Sequence, residues 1–214
     1  RQGQYAPFLS YLQQYQLRHA LTPSQVADWL QVALWAGQDD EVVKIWRRYQ
    51  VYMPLPARGT AAAAQALRNQ KQWQASLLLW QQALSQSPGS DDYRIGYIKT
   101  LADARKDGEA LSEARRLVAE QASVAHLQTL SYVYLRLGKS WDQLLVDTQI
   151  LDREPQNKAA LASLMATLTR NRIDSPAFSL ANSVELTPAE KRNLQLNAAA
   201  ALVRPADTPS REEK

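Results

Sequence analysis

Pro54 and Pro88 stand 34 residues apart, and each closes an amphipathic stretch, Glu41 to Tyr52 and Trp73 to Ser85, that follows another apolar stretch. A fixed spacing of this length constrains the fold more than any composition value. A short amphipathic pair cannot bury its apolar face alone and must cover it with a copy of itself. With each proline at position 32 of a repeat, Trp46 and Trp80 both fall at position 24, and Tyr49 and Ala83 at position 27. Those are positions on a second helix that packs against the first. The next repeat starts at Asp91 with Leu101 at position 11, Ala110 at 20 and Ala114 at 24; another starts at Val124, where Gly138 and Pro155 fall at 15 and 32.

Thirty-four residues is the tetratricopeptide (TPR) period, so the expected fold is all-α: a right-handed TPR superhelix of antiparallel helix pairs, with about eleven helices. The expected units are 23–56, 57–90, 91–123 and 124–157. Ahead of them, Gly3 falls at position 15, with Phe8, Leu12 and Tyr15 where a second helix belongs, so residues 1–21 read as a unit lacking its first helix and the chain as a piece of something longer. Behind them, Leu161, Leu164, Met165 and Leu168 keep a helix face, but Pro176 interrupts the second helix of a degenerate unit, 158–202. Residues 203–214 have no apolar periodicity and read as a flexible tail.

Local chemistry supports these boundaries. Thr22-Pro23-Ser24-Gln25 and Thr187-Pro188-Ala189-Glu190 each offer a capping hydroxyl, a proline at the first helical position and an amide or carboxylate two residues further on. Ser140, Asn157 and Ser175 are further cap candidates, and Gly37 and Gly138 suit the turns inside their repeats. A chain of 214 residues that is 45% hydrophobic can bury a long core through neighbour contacts, and no run approaches the apolar length of a membrane helix, so a soluble solenoid is expected. With zero cysteines there are no disulfides, thiol nucleophiles or cysteine metal sites. The net charge of +4 is spread among acids, as in Arg105-Lys106-Asp107-Gly108-Glu109, and makes no basic stripe for nucleic acid.

No catalytic constellation emerges. His19 and His126 lie on different units without a partner at helical spacing, and His126, at position 3, is expected to face solvent. Asp39-Asp40-Glu41 resembles a cation site, but acids in a first helical turn complement the helix dipole without an ion. No metal, cofactor or enzymatic activity is expected.

In a TPR array the first helices line the concave surface through positions 2, 5, 9, 12 and 13. Those positions hold Gln31, Leu34 and Trp35; Arg58, Gln65, Arg68 and Asn69; Asp92, Lys99 and Asp103; and Gln128, Tyr132, Leu135 and Arg136. A clamp for a peptide carboxylate needs Lys and Asn at positions 5 and 9; Ala27 with Gln31 and Ala61 with Gln65 stand there, which disfavours that subtype.

The run from Ala27 through Trp29, Trp35 and Gly37 to Asp39, the segment Leu55-Pro56-Ala57-Arg58-Gly59, and the stretch from Arg68-Asn69 through Trp73 and Trp80 to Ala83-Leu84-Ser85 are richer than a generic repeat consensus. They resemble the N-terminal periplasmic repeat region of the outer-membrane porins that export poly-β-1,6-N-acetyl-D-glucosamine (PNAG). The resemblance runs over residues 1 to 202 and is strongest from 22 to 104. It implies a periplasmic region ahead of a transmembrane β-barrel that lies outside this sequence, guiding partly de-N-acetylated polymer and docking the periplasmic deacetylase during biofilm secretion. On that basis Trp35, Asp92, Asp103 and Tyr132 are the candidate polymer contacts, and Arg68, Asn69, Lys99 and Arg136 the candidate partner-docking residues. The alternative is a general TPR assembly scaffold that binds a protein and no saccharide.

Overall fold

The structure is a computed structural model that describes residues 2–170 together with Pro188, Ala189 and Arg192. The described residues contain ten helices and no strand: α1 Gln2–Tyr15, α2 Pro23–Trp35, α3 Asp39–Tyr49, α4 Ala57–Asn69, α5 Trp73–Gln86, α6 Asp91–Asp103, α7 Asp107–Glu120, α8 Val124–Leu137, α9 Ser140–Arg153 and α10 Lys158–Arg170. Pro188, Ala189 and Arg192 are also helical. The even-numbered helices from α2 start at residues 23, 57, 91, 124 and 158, and the odd-numbered ones from α3 at 39, 73, 107 and 140. The expectations placed on Pro176, Ser175, the capping of Thr187 and the tail lie outside the described residues.

Turn chemistry explains this regularity. Gly37, Lys71, Arg105 and Gly138 occupy equivalent turns between the helices of each pair, and all four have positive φ, at 75°, 61°, 61° and 70°. Glycine was expected at two of these turns; the other two hold the same left-handed backbone with a side chain attached. Thr22 caps α2 in a full capping box with Gln25, and Asn157 Oδ1 accepts from the Ala160 amide at 3.0 Å. Ser140 is the first residue of α9 and Lys139 stands at its cap, so the expected serine cap is displaced by one residue. Ser90 and Ser123 cap α6 and α8 instead.

The chain divides into two compact units, Arg1–Ala110 and Leu111–Lys214, with the division inside α7. In the first, α2 packs on α3, α4 on α2, α3 and α5, and α5 on α6. Helix α4 touches so many neighbours because its alanines Ala61, Ala62, Ala63, Ala64 and Ala66 are all buried and let the adjoining backbones come close. The core continues through Leu30, Val42, Leu67, Leu79 and Trp80. Helix α1 covers α2 through Leu9 and Leu12, whereas Phe8, expected inward, is 40% exposed. In the second unit α8, α9 and α10 pack in sequence around Leu127, Leu144, Ile150, Leu151, Leu164 and Leu168.

Candidate functional site

Three of the six charged residues read as lining a binding surface, Arg58, Arg68 and Asp103, join one helix to another. Arg58 on α4 donates to the Ser24 carbonyl at 3.1 Å, to Ser24 Oγ at 2.8 Å and to Asp28 at 3.1 Å, all on α2. Arg68 Nε, also on α4, donates to Asp103 Oδ2 of α6 at 2.7 Å, and both side chains are largely buried, 16% and 8% exposed. Two residues assigned to different roles, Asp103 to polymer and Arg68 to a partner, are thus one ion pair. Lys99 lies one helical turn before Asp103 and feels both charges. Burial lowers its pKa and the Arg68 charge adds to this, while Asp103 acts in the opposite direction. Asn69 accepts from Gln65 at 2.9 Å and donates to Asp39 at 3.1 Å, and Gln70 donates to Asp40 at 2.5 Å. The acidic first turn of α3 is therefore engaged by amides at the end of α4.

The remaining candidates stand differently. Asp92 is exposed in the first turn of α6. Trp35, the last residue of α2, is 57% exposed, with its ring 6.2 Å from that of Tyr5 on α1. Tyr132 is half-buried and Arg136 exposed, both on α8 in the second unit. Ala27 and Ala61, at the positions a carboxylate clamp would use, are buried.

Two aromatic and histidine readings are resolved by packing. Trp80 is buried, and its indole nitrogen donates to Thr100 Oγ1 on α6 at 2.9 Å, so it is a packing residue that locks α5 to the following helix. Trp46 is half-buried against the same core. His126, expected to face solvent, is 3% exposed, with Nδ1 2.5 Å from the Gln121 carbonyl oxygen. Its ring folds back over the loop that precedes α8 and satisfies a carbonyl there, which a position count cannot anticipate. Among the described residues no group of three His, Asp or Glu could hold a metal ion, and no helix is long and apolar enough to cross a membrane.

The repeat positions do not point to two hollows that flank α3. One, of about 380 Å³, lies against the end of α4 and includes Asp40, Lys44, Arg47 and Gln70. The other, of about 350 Å³, lies between α1 and α3 over α2, with Gln13 and Gln16 from α1, Trp29 from α2, and Glu41, Ile45 and Arg48 from α3. The repeat template does not mark this second groove, because it assigns binding to concave first-helix positions, whereas these side chains come from α1, from Trp29 at a packing position of α2 and from the outer face of α3.

No family model matches the chain. Over 213 residues, which is 100% of this chain to the nearest per cent, it is 39% identical to the poly-β-1,6-N-acetyl-D-glucosamine export protein of Escherichia coli (strain K12), and equally to the protein of the same name from Escherichia coli O157:H7. The alignment takes in 25% of each relative, so the chain spans about a quarter of their length. The resemblance carried by the Ala27 to Asp39 and Arg68 to Ser85 runs is thereby borne out along the whole chain, which is similar from end to end to a segment of the PNAG export protein.

Proposed function

We propose that this chain is a TPR scaffold for PNAG export, acting in the periplasm to guide partly de-N-acetylated polymer and to dock the deacetylase that produces it, without catalysing a reaction itself. The observation that carries this reading is the 39% identity to the export protein over the full chain. Helix starts that recur at residues 23, 57, 91, 124 and 158 support the TPR assignment and the units 23–56, 57–90, 91–123 and 124–157, with 1–21 and 158–202 as terminal units. Such an array suits guiding a polymer because each unit offers the chain a similar, weak foothold.

Trp35 and Asp92 are exposed and suit polymer contact, the indole under a sugar face and the carboxylate beside an ammonium. Tyr132 extends the same chemistry on α8. Asp103 already holds Arg68, so an ammonium there would have to compete with a buried guanidinium. Arg136 is exposed on α8 and suits an acidic partner surface, whereas Asn69 ties the end of α4 to the first turn of α3 and Lys99 lies within the field of the Arg68–Asp103 pair.

A general protein scaffold is the second reading, favoured by the exposed pair Trp141 and Leu145, one turn apart on α9. Titrating partly de-acetylated β-1,6-glucosamine oligomers, alongside a pull-down with the deacetylase, separates the two. Oligomer binding at millimolar affinity or better supports export guidance. Deacetylase capture with no oligomer binding supports the protein scaffold, and neither result defeats both readings.

A further inference from the structure

We propose that the groove between α1 and α3 binds a neutral N-acetylglucosamine unit of a glycan chain in preference to a de-acetylated unit, an inference that rests on the export reading and assigns it a specific subsite. The groove, at about 350 Å³, is at the small end of the roughly 300–1,000 Å³ range of ligand sites. That is room for a ring-sized ligand. Its apolar surface comes from the exposed side chain of Leu17 over a floor closed by the buried Trp29 and Ile45, and it can take the C–H face of a pyranose.

The rim supplies amide-type hydrogen bonding. Gln13 has no hydrogen-bond partner among the described residues, so its side-chain amide is available as both donor and acceptor. Gln16 Oε1 accepts from the Tyr49 hydroxyl at 3.3 Å, which fixes that amide with its Nε2 left to donate. An acetamido group presents the complementary pair, one N–H and one carbonyl oxygen. Arg48 lies 5.3 Å over the Tyr49 ring and has no carboxylate paired with it among the described residues, so its guanidinium can donate to sugar hydroxyls or to the acetyl oxygen.

Charge sets the selectivity. The rim carries two cations, Lys44 and Arg48, against one carboxylate, Glu41, and Glu41 is already 4.0 Å from Lys44. A glucosamine ammonium would enter a net positive rim, whereas the acetylated unit carries no charge and meets no such penalty. The groove thus differs in preference from the exposed acid Asp92, and the two together would read both kinds of unit in a partly de-acetylated chain.

The test is calorimetric titration of the 214-residue chain with fully N-acetylated and fully de-N-acetylated β-1,6-glucosamine pentasaccharides, using parent, Gln13→Ala and Arg48→Gln proteins. Nuclear magnetic resonance of the Gln13 and Gln16 side-chain amides is followed in the parent. The expected result is that the acetylated oligomer shifts those amide signals and loses affinity about tenfold or more in each variant, with melting temperatures unchanged. Acetylated oligomer bound equally by parent and variants, with silent amide signals, overturns the groove while leaving the export reading intact. Tighter groove binding by the de-acetylated oligomer, or Arg48-dependent displacement by a hexaglutamate peptide, also overturns it. Failure of every oligomer to bind the parent removes the export reading and the groove together.

Discussion

Lys71 and Arg105 hold φ at 61° in turns where Gly37 and Gly138 hold the same conformation without a Cβ. A side chain in the left-handed region costs about 1–2 kcal/mol, and the greater unfolded-state freedom of glycine returns roughly 0.5–1 kcal/mol of that. Lys71→Gly is therefore expected to stabilise the protein by about 0.5–1 kcal/mol, read as a higher midpoint in urea at unchanged slope. Gly138→Ala should shift the midpoint the other way, and a Lys71→Gly protein less stable than the parent would show that the turn is relaxed by contacts of the lysine. A second residue has its effect through pH. Asp147 on α9 is buried and accepts from Ser131 Oγ of α8 and Ser163 Oγ of α10, each at 2.6 Å. Burial raises its pKa above 3.8 and outweighs the two hydroxyls, which act to lower it. The folded state therefore keeps this proton to a higher pH than the unfolded chain does. The stability it contributes is complete below 3.8 and is lost as pH rises through the folded-state pKa. Asp147→Asn, which keeps hydrogen-bonding capacity without ionising, should remove that loss, so the difference in urea midpoint between variant and parent should move in the variant's favour as pH rises from acid to neutral.

Between elements, the contact of α5 with α6 depends on the absence of a side chain. A Cβ at Gly96 would lie 2.4 Å from Cη2 and 2.5 Å from Cζ2 of Trp80, and the indole cannot simply swing aside because its nitrogen is bonded to Thr100. Gly96→Ala should cost about 1–3 kcal/mol by overpacking. The loss should be smaller in a Trp80→Phe background, and strict additivity in that cycle would show that the two residues do not share the contact. The Arg68 and Asp103 pair is the polar counterpart between α4 and α6. Removing one partner of a buried pair typically costs about 3–5 kcal/mol, so Asp103→Asn should lower thermal stability strongly whether or not it changes polymer affinity. A variant that melts like the parent but binds oligomers more weakly would restore Asp103 to the polymer site. The helix starts and the turns at Gly37 and Gly138 were legible in the sequence because prolines, glycines and apolar spacing act within a few residues. The roles of Arg68 and Asp103 were not, because they stand 35 residues apart and a position count shows which face each occupies without showing that the two reach each other. The burial of His126 is hidden from a position count for a related reason, since its ring folds onto a loop carbonyl that periodicity does not describe. The α1–α3 groove was hidden because it depends on side chains from three helices, and the repeat template marks only one helix of each pair as a binding face.

At the scale of the whole molecule, the formal charge of +4 sets a sign that local contacts must work against. A de-acetylated glucosamine oligomer is a polycation, so the mean field of the protein repels it, while a fully acetylated oligomer is neutral and feels almost none of that field. Screening over a Debye length of about 10 Å at 0.1 M salt, shrinking to about 3 Å at 1 M, removes long-range repulsion before it removes a close contact. If the mean field dominates, affinity for the de-acetylated oligomer should rise as salt is added, and affinity for the acetylated oligomer should stay level. If exposed carboxylates such as Asp92 dominate, affinity for the de-acetylated oligomer should instead fall with salt and fall again in Asp92→Asn. The net positive charge and the engagement of Asp103 by Arg68 both favour the first outcome. We therefore expect the de-acetylated oligomer to bind more tightly at 0.5 M than at 0.05 M sodium chloride, by a factor of about two to three, while the acetylated oligomer changes by less than the error of the titration. A steep loss of de-acetylated oligomer with salt would place its recognition at local acids and count against a field-dominated encounter.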